Sequence, residues 1–434
     1  MEDEAPIKKS DRYKVNRILY IIEAAVEYFI VALAGGAYLA KITTSIGIPD
    51  DVTAILTSTV SLGVGFQLFA LFISRNKKVK KIVTPWAVIY QLMLTMIYFV
   101  PVFDLSREVK TVLLFMLLIV GQAIQNVIAP CQTRWLMSSV SEDKRGSFTA
   151  IKEIVSLISG MIFFNIVGAI IDAFEADGNI TGAFITLGIV VFLLTLTHTL
   201  LLVFTKEDDV LNQSNKKEEP ILAQIKDVVC DKNLWKVLPV QIIWSVAVHI
   251  STPFYGTFQI KDLGFSMVMV TVLSAISSIM RAVFSLPFGK YADHHSYAQL
   301  LNICYPLAAA GFLLNVFSNS FTGIYLYSGY TVLYMISLAG INGSNINLIY
   351  DAVPYKKRVG ALAIRGALTG FLGFFATLAV RPLVQHIQSN NNTFLGMNVY
   401  AQQVLSAISC VLIVIIIIYL NTVLRGFKRI YERL

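Results

Sequence analysis

Glu23, Glu27, Lys152, Arg281, Arg365 and Arg381 each stand inside an apolar run. A charge held in hydrocarbon is costly, so such residues face a polar cavity or a partner and mark solute or ion pathways. Glu23 and Glu27 are four residues apart, which puts them on one face of a helix. Two neighbouring carboxylates repel when both are ionised, and a low-dielectric setting also favours the neutral form. Such a pair is suited to taking up and releasing a proton. The plainer alternative is that Glu23 reaches the headgroups and that both acids simply pair with cations. Lys152, Arg281, Arg365 and Arg381 are the candidate cavity charges. Lys152 and Arg365 could neutralise acids or snorkel. Arg281 lies deeper, placed to bind an anionic group or to hold Glu27 charged, and Arg381 lies toward a helix end. His249 falls in the middle of its run, either as a helix–helix hydrogen-bond partner or as a second proton site.

A second set of residues suits solute binding. Gln122, Gln125 and Asn126 share one apolar run, Trp244 and Tyr255 another, and Asn342 and Asn345 a third. Amides and aromatics on cavity-lining helices fit a polar neutral solute such as a sugar, although amides also join helices to one another.

The elements that position these residues are membrane helices. The chain has 434 residues, 56% of them hydrophobic and only 14% charged, and its mean hydropathy is +0.67. Apolar stretches of about 20 residues, enough to span hydrocarbon, recur from end to end. In lipid the backbone must satisfy its own hydrogen bonds, so these stretches are helices, and the short alternating segments of a barrel are absent. The pattern predicts twelve spans: Ile18–Ala40, Val52–Ile73, Ile82–Val102, Val112–Met137, Ser147–Ala173, Ile180–Phe204, Leu234–Ile260, Ser266–Phe288, Ala298–Phe317, Phe321–Ile349, Val359–Ile387 and Ala401–Leu424. They divide into an N-terminal bundle (1–204), a polar linker (205–233) and a C-terminal bundle (234–434). Within the linker, Ile221–Val229 reads as a short amphipathic surface helix.

Lys and Arg crowd the N-terminal tail, every second loop and the C-terminal tail, whereas the intervening loops hold only Lys41, Arg107, Lys110 and Lys261. That asymmetry places both termini in the cytoplasm and requires an even number of spans. The net charge of +8 therefore reflects orientation and not nucleic-acid binding. Cys131, Cys230, Cys304 and Cys410 form no disulfide framework. No Gly-Lys-Ser/Thr phosphate loop is present, so ATP-driven transport has no support.

The halves repeat one another. Val140-Ser-Glu-Asp-Lys-Arg145 and Val353-Pro-Tyr-Lys-Lys-Arg358 occupy the same place before their helices. Ala150-Ile151-Lys152 recurs as Ala363-Ile364-Arg365, and Gly160 as Gly373, all at one offset. Parallel repeats with the solute site between them near the midplane are a known transporter plan.

With its six helices, cytoplasmic linker and six further helices, the chain resembles the major facilitator superfamily over nearly its whole length. The eighth–ninth loop keeps the Gly and Asp of that family's signature in Gly289-Lys-Tyr-Ala-Asp293, while the second–third loop, Ser74–Lys81, lacks it. The proline–glycine motif of drug/proton antiporters is replaced by Ser159–Gly168. The resemblance implies that helices 1, 4, 7 and 10 line a central cavity and that helices 3, 6, 9 and 12 face lipid. It also implies a gate of Gly289, Asp293, Arg145 and Arg358, with Asp293 beside Arg145 when the cytoplasmic side is closed.

The expected protein is an all-α membrane protein and not an enzyme: a monomeric, proton-coupled secondary transporter, a symporter, in contact with membrane lipid. Its solute is expected to be a small polar organic molecule such as a sugar or glycoside. It needs no cofactor, no metal and no nucleic acid. Efflux of amphipathic, drug-like compounds is the alternative, and a non-transporting receptor on the same fold is a third reading.

Overall fold

The structure is a computed structural model that describes residues 14–70, 79–137, 139–140, 145–207, 227–354 and 357–425. Most of the expected linker, including the start of its surface helix, lies outside the described residues.

Among the described residues, twelve helical units follow one another. α1 runs from Lys14 to Leu33 and resumes from Gly36 to Ile46. Then come α2 (Asp50–Phe66), α3 (Val79–Met96), α4 (Arg107–Met137), α5 (Arg145–Ala176) and α6 (Ile180–Phe204). The second set is α7 (Lys232–His249), α8 (Met267–His294), α9 (Tyr297–Val316), α10 (Gly323–Ala352), α11 (Arg358–Ser389) and α12 (Ala401–Thr422). Among the described residues, 11 helices are long and apolar enough to cross a membrane. The twelfth, α3, has Lys80 and Lys81 in its first turn and packs against α4 and α6. A two-residue hairpin, Thr393–Phe394 against Met397–Asn398, joins α11 to α12. Its turn residues Leu395 and Gly396 have positive φ, as a hairpin of this length requires.

The first helix differs from its expected form. It does not end at Ala40 but breaks at Gly35 and Gly36, and Gly36 takes φ +53°, open to a residue with no Cβ. α7 breaks in the corresponding place. Beyond His249 it continues as a 3₁₀ turn at Thr252–Phe254, a single turn at Tyr255–Thr257 and a wide turn at Phe258–Asp262. Pro253, which lacks an N–H, stands in this break. The two broken segments cross, so closely that a Cβ on Gly256 would lie 2.8 Å from the Gly36 carbonyl oxygen.

Within each set the helices pack on one another: α1 on α5 and α6, α2 on α4, α9 on α10 and α12, α7 on α11 and α12. Between sets, α2 lies along α11 and α5 along α8. A Cβ on Gly370 would fall 2.4 Å from the Gly65 nitrogen, so backbone meets backbone there. These are two six-helix bundles joined through equivalent helix pairs.

The first and last described residues, Lys14 and Arg425, lie on one face, here the terminal face. On the far face the bundles are clasped by ions. Asp50 and Asp51, in the first turn of α2, meet Lys261 (2.5 Å) and Arg381 (2.6 Å) from the other bundle. Gln388 donates to Asp50 (2.9 Å) and Gln385 to Asp51 (3.0 Å). Asp172 of α5 accepts from the Met267 and Val268 amides, both at 2.9 Å, capping the positive end of α8.

Candidate functional site

Glu23 and Glu27 lie on the inward face of α1, towards α3, α4 and α6. Gln132 of α4 donates to both, at 2.6 Å to Glu23 Oε1 and 3.0 Å to Glu27 Oε2. Tyr90 of α3 donates to Glu27 Oε1 at 2.7 Å. His198 Nε2 of α6 is 3.0 Å from Glu23 Oε1, and its Nδ1 is 3.0 Å from Gln91 Nε2. The Gln91 amide also donates to the Tyr90 hydroxyl at 3.1 Å, which closes the ring. Glu23 is 1% exposed and His198 0%, so water does not share in these bonds. A carboxylate so deeply buried is tolerable only with such partners or with a proton.

Glu23, Glu27 and His198 present ligand atoms all within 4.8 Å of one another. At that separation two ionised carboxylates repel by on the order of 3 kcal/mol for an effective dielectric of about 20. One proton, on a carboxyl or on His198, would relieve that repulsion. Two neighbouring amides have spare capacity for it. The Oε1 atoms of Gln91 and Gln132 are buried without a hydrogen-bond partner among the described residues. Rotating an amide by half a turn presents an acceptor in place of a donor. Gln91 could then accept from a protonated His198, and Gln132 from a protonated carboxyl.

The pair opens onto a cavity of about 340 Å³ lined by Tyr20, Glu23, Glu27, Tyr28, Gln125, Gln132, Thr133 and Lys152. The Lys152 ammonium stands 5.1 Å from the centre of the Tyr20 ring. Arg281, at the middle of α8, is exposed and within electrostatic range of Tyr28 from α1 and Tyr334 from α10. Arg365 of α11 donates its Nε–H to Gln241 Oε1, and Gln241 donates in turn to the Asn345 carbonyl at 2.9 Å.

Not every expected site residue joins this cavity. Tyr255 is packed inside the second bundle, its hydroxyl 2.7 Å from Ser406. Gln122 and Asn345 are buried between helices, and Asn126 donates back to the Gln122 carbonyl at 2.9 Å. Trp244 stacks near Tyr305 and Tyr334, while Asn342 is exposed on α10. His249 bonds the Ser245 carbonyl at 2.7 Å and packs on Gly373. It is far from sharing a bond with Glu27, whose partners are Tyr90 and Gln132. Arg381 belongs to the far-face clasp, because Asp51 offers it a closer anion than the headgroups do. Gly289 is exposed, and Arg358 bonds the Tyr350 carbonyl at 3.2 Å. The side chains of Asp293 and Arg145 lie outside the described residues.

Sequence reasoning missed His198, Tyr90 and Gln91. Each sits on a helix expected to face lipid, yet Tyr90 and His198 bond the acids of α1 and Gln91 bonds both Tyr90 and His198. A histidine and a glutamine inside otherwise apolar runs were the available signal.

The sequence matches the family model described as Major Facilitator Superfamily over residues 21–423. No curated protein matches it. Among solved structures the fold is similar to that of nucleoside transporter NupG, with TM-score 0.71 and 13% identity, covering 95% of this chain and 100% of that one. It is similar to a D-xylose-proton symporter, with TM-score 0.70 and 11% identity over 93% of this chain and 96% of that chain. It is also similar to the xylose transporter XylE from E. coli in a partially occluded inward open conformation, with TM-score 0.64 and 10% identity over 91% and 96% of the two chains.

Proposed function

This chain belongs to the major facilitator superfamily, and on that premise we propose that it carries a small polar organic solute by alternating access, driven by protons exchanged at Glu23, Glu27 and His198. The observation that carries the reading is the buried carboxylate pair, bonded to a histidine and opening through Glu27 onto a cavity. A carrier coupled to protons needs a group whose ionisation changes as access alternates. A carboxylate pair that shares one amide donor meets that need, since a proton on either member removes their repulsion.

The bundles, residues 1–204 and 234–434, act as the moving bodies, joined by the linker 205–233. The terminal face is cytoplasmic by the distribution of Lys and Arg, and the protein is a monomer in the cell membrane. The ion pairs across the far face then hold the outside shut, so this conformation faces inward. In the cycle, a proton and solute bind from one side, the clasp and the terminal face exchange closure, and both leave on the other. The similarity to a D-xylose-proton symporter and to a nucleoside transporter supports a polar organic solute and proton coupling.

The test is uptake into proteoliposomes from a panel of polar solutes, with and without an imposed pH gradient. Accumulation of one solute only when the gradient is present supports the reading. Equal uptake with and without a gradient refutes proton coupling, and uptake of drug-like compounds alone favours the efflux alternative.

A further inference from the structure

Among the described residues, four cations toward the membrane faces are ion-paired: Lys41 with Glu175, Lys261 with Asp50, Arg381 with Asp51, and Lys357 with Asp227 and Asp231. Three in the middle are not. Lys152 and Arg281 have no ion pair among the described residues, and Arg365 has a neutral amide oxygen. Beside Lys152 stands the face of Tyr20, which is worth about 0.5–2 kcal/mol to a cation.

Arg281 lies far from both ends of its helix. It is the fifteenth residue of a helix of 28, so roughly 20 Å of helix separates it from either end. α8, which carries Arg281, packs along α5, which carries Lys152, and Arg281 is within electrostatic range of Tyr28, which lines the same cavity as Lys152, and of Tyr334 from the second bundle. The acids that share this cavity form no ion pair with Lys152 or Arg281 among the described residues; Glu23 and Glu27 accept from Gln132 and Tyr90, and Glu23 is bonded to His198. When that pair takes protons, the cavity wall becomes net positive.

From this arrangement we propose that the solute carries an anionic oxyacid group, a carboxylate or a phosphate, which binds between Lys152 of the first bundle and Arg281 of the second. A guanidinium presents paired N–H donors that match two oxygens of such a group, and an ammonium adds a point charge. Because the two cations belong to different bundles, an anion held by both draws the bundles together around the solute. An anion that travels with a proton also crosses with little net charge, which fits the acid pair beside it. The proposal rests on the transport reading above and names its substrate class.

The test uses the full-length wild-type protein in proteoliposomes and matched solutes: glucose, glucuronate and glucose phosphate, and uridine with uridine monophosphate. Binding is read as thermal stabilisation and transport as uptake. The proposal expects an acidic member of at least one set to bind at least tenfold more tightly than its neutral parent. Arg281→Gln should weaken that binding about tenfold to a hundredfold, the loss of a charged hydrogen-bonding partner, with Arg281→Lys recovering part of it. The carboxylate and phosphate members tell the two oxyacids apart. If neutral parents bind and are taken up while the acids are not, the proposal fails and the transport reading stands. Unchanged acid binding in Arg281→Gln also overturns it. If no member binds or moves, the proposal and the transport reading fall together.

Discussion

Removing the acids of the far-face clasp should open that face. Asp51 is 2% exposed and accepts from Arg381 at 2.6 Å and from Gln385 at 3.0 Å. Asp51→Asn keeps the shape but removes the charge. A hydrogen bond to a charged group contributes about 1.5–3 kcal/mol, but Arg381 is 42% exposed and water screens it, so about 1–2 kcal/mol is expected. That energy is a factor of about 5–30 in the ratio of closed to open far face. Asp50→Asn removes the Lys261 pair at 2.5 Å in the same way. The two acids are adjacent, so the double variant should shift the ratio by less than the product of the two. The assay is a pulsed dipolar distance between spin labels at Asp104→Cys and Phe321→Cys, both exposed, in a background without the four native cysteines. The double variant should broaden the distance distribution and move it to longer values. An unchanged distribution would mean that backbone packing such as the Gly36–Gly256 crossing holds this face, and that the ion pairs contribute nothing to access.

Two further outcomes follow from the packing. His198→Phe removes the ring nitrogen bonded to buried Glu23, so it should destabilise the protein by about 3–5 kcal/mol, seen as a lower Tm in detergent, with His198→Gln much milder. Gly370→Val forces a side chain to within 2.4 Å of the Gly65 backbone nitrogen, so α2 and α11 must separate; a loss of at least about 1–3 kcal/mol is expected, against almost none for Gly289→Ala, which faces open space.

The fold was legible because lipid imposes length and charge rules on every span. Apolar runs, alternating loop charge and the repeat of Lys152 at Arg365 were enough to reach two six-helix bundles. The breaks in α1 and α7 were less visible, since Gly35, Gly36 and Pro253 are tolerated in membrane helices whether or not they break. The acid pair was legible from spacing alone, but its partners were not. Helical periodicity relates residues three or four apart on one helix, whereas His198 meets Glu23 across 175 positions of sequence. Treating α3 and α6 as uniformly lipid-facing hid their inner stripes. The clasp was hidden in another way: Lys261 entered only the count of basic loop residues, and its partner Asp50 stands 211 positions away.

Whether protons taken up at the acid pair drive transport is decided by Glu27→Gln in proteoliposomes, using any solute that the wild type accumulates under an imposed pH gradient. The amide copies the protonated acid and can still bond Tyr90 and Gln132, so folding should be preserved. Solute exchange between compartments of equal pH should persist while accumulation driven by the gradient is lost. If Glu27→Gln accumulates the solute against its gradient as the wild type does, protons are not coupled through this pair.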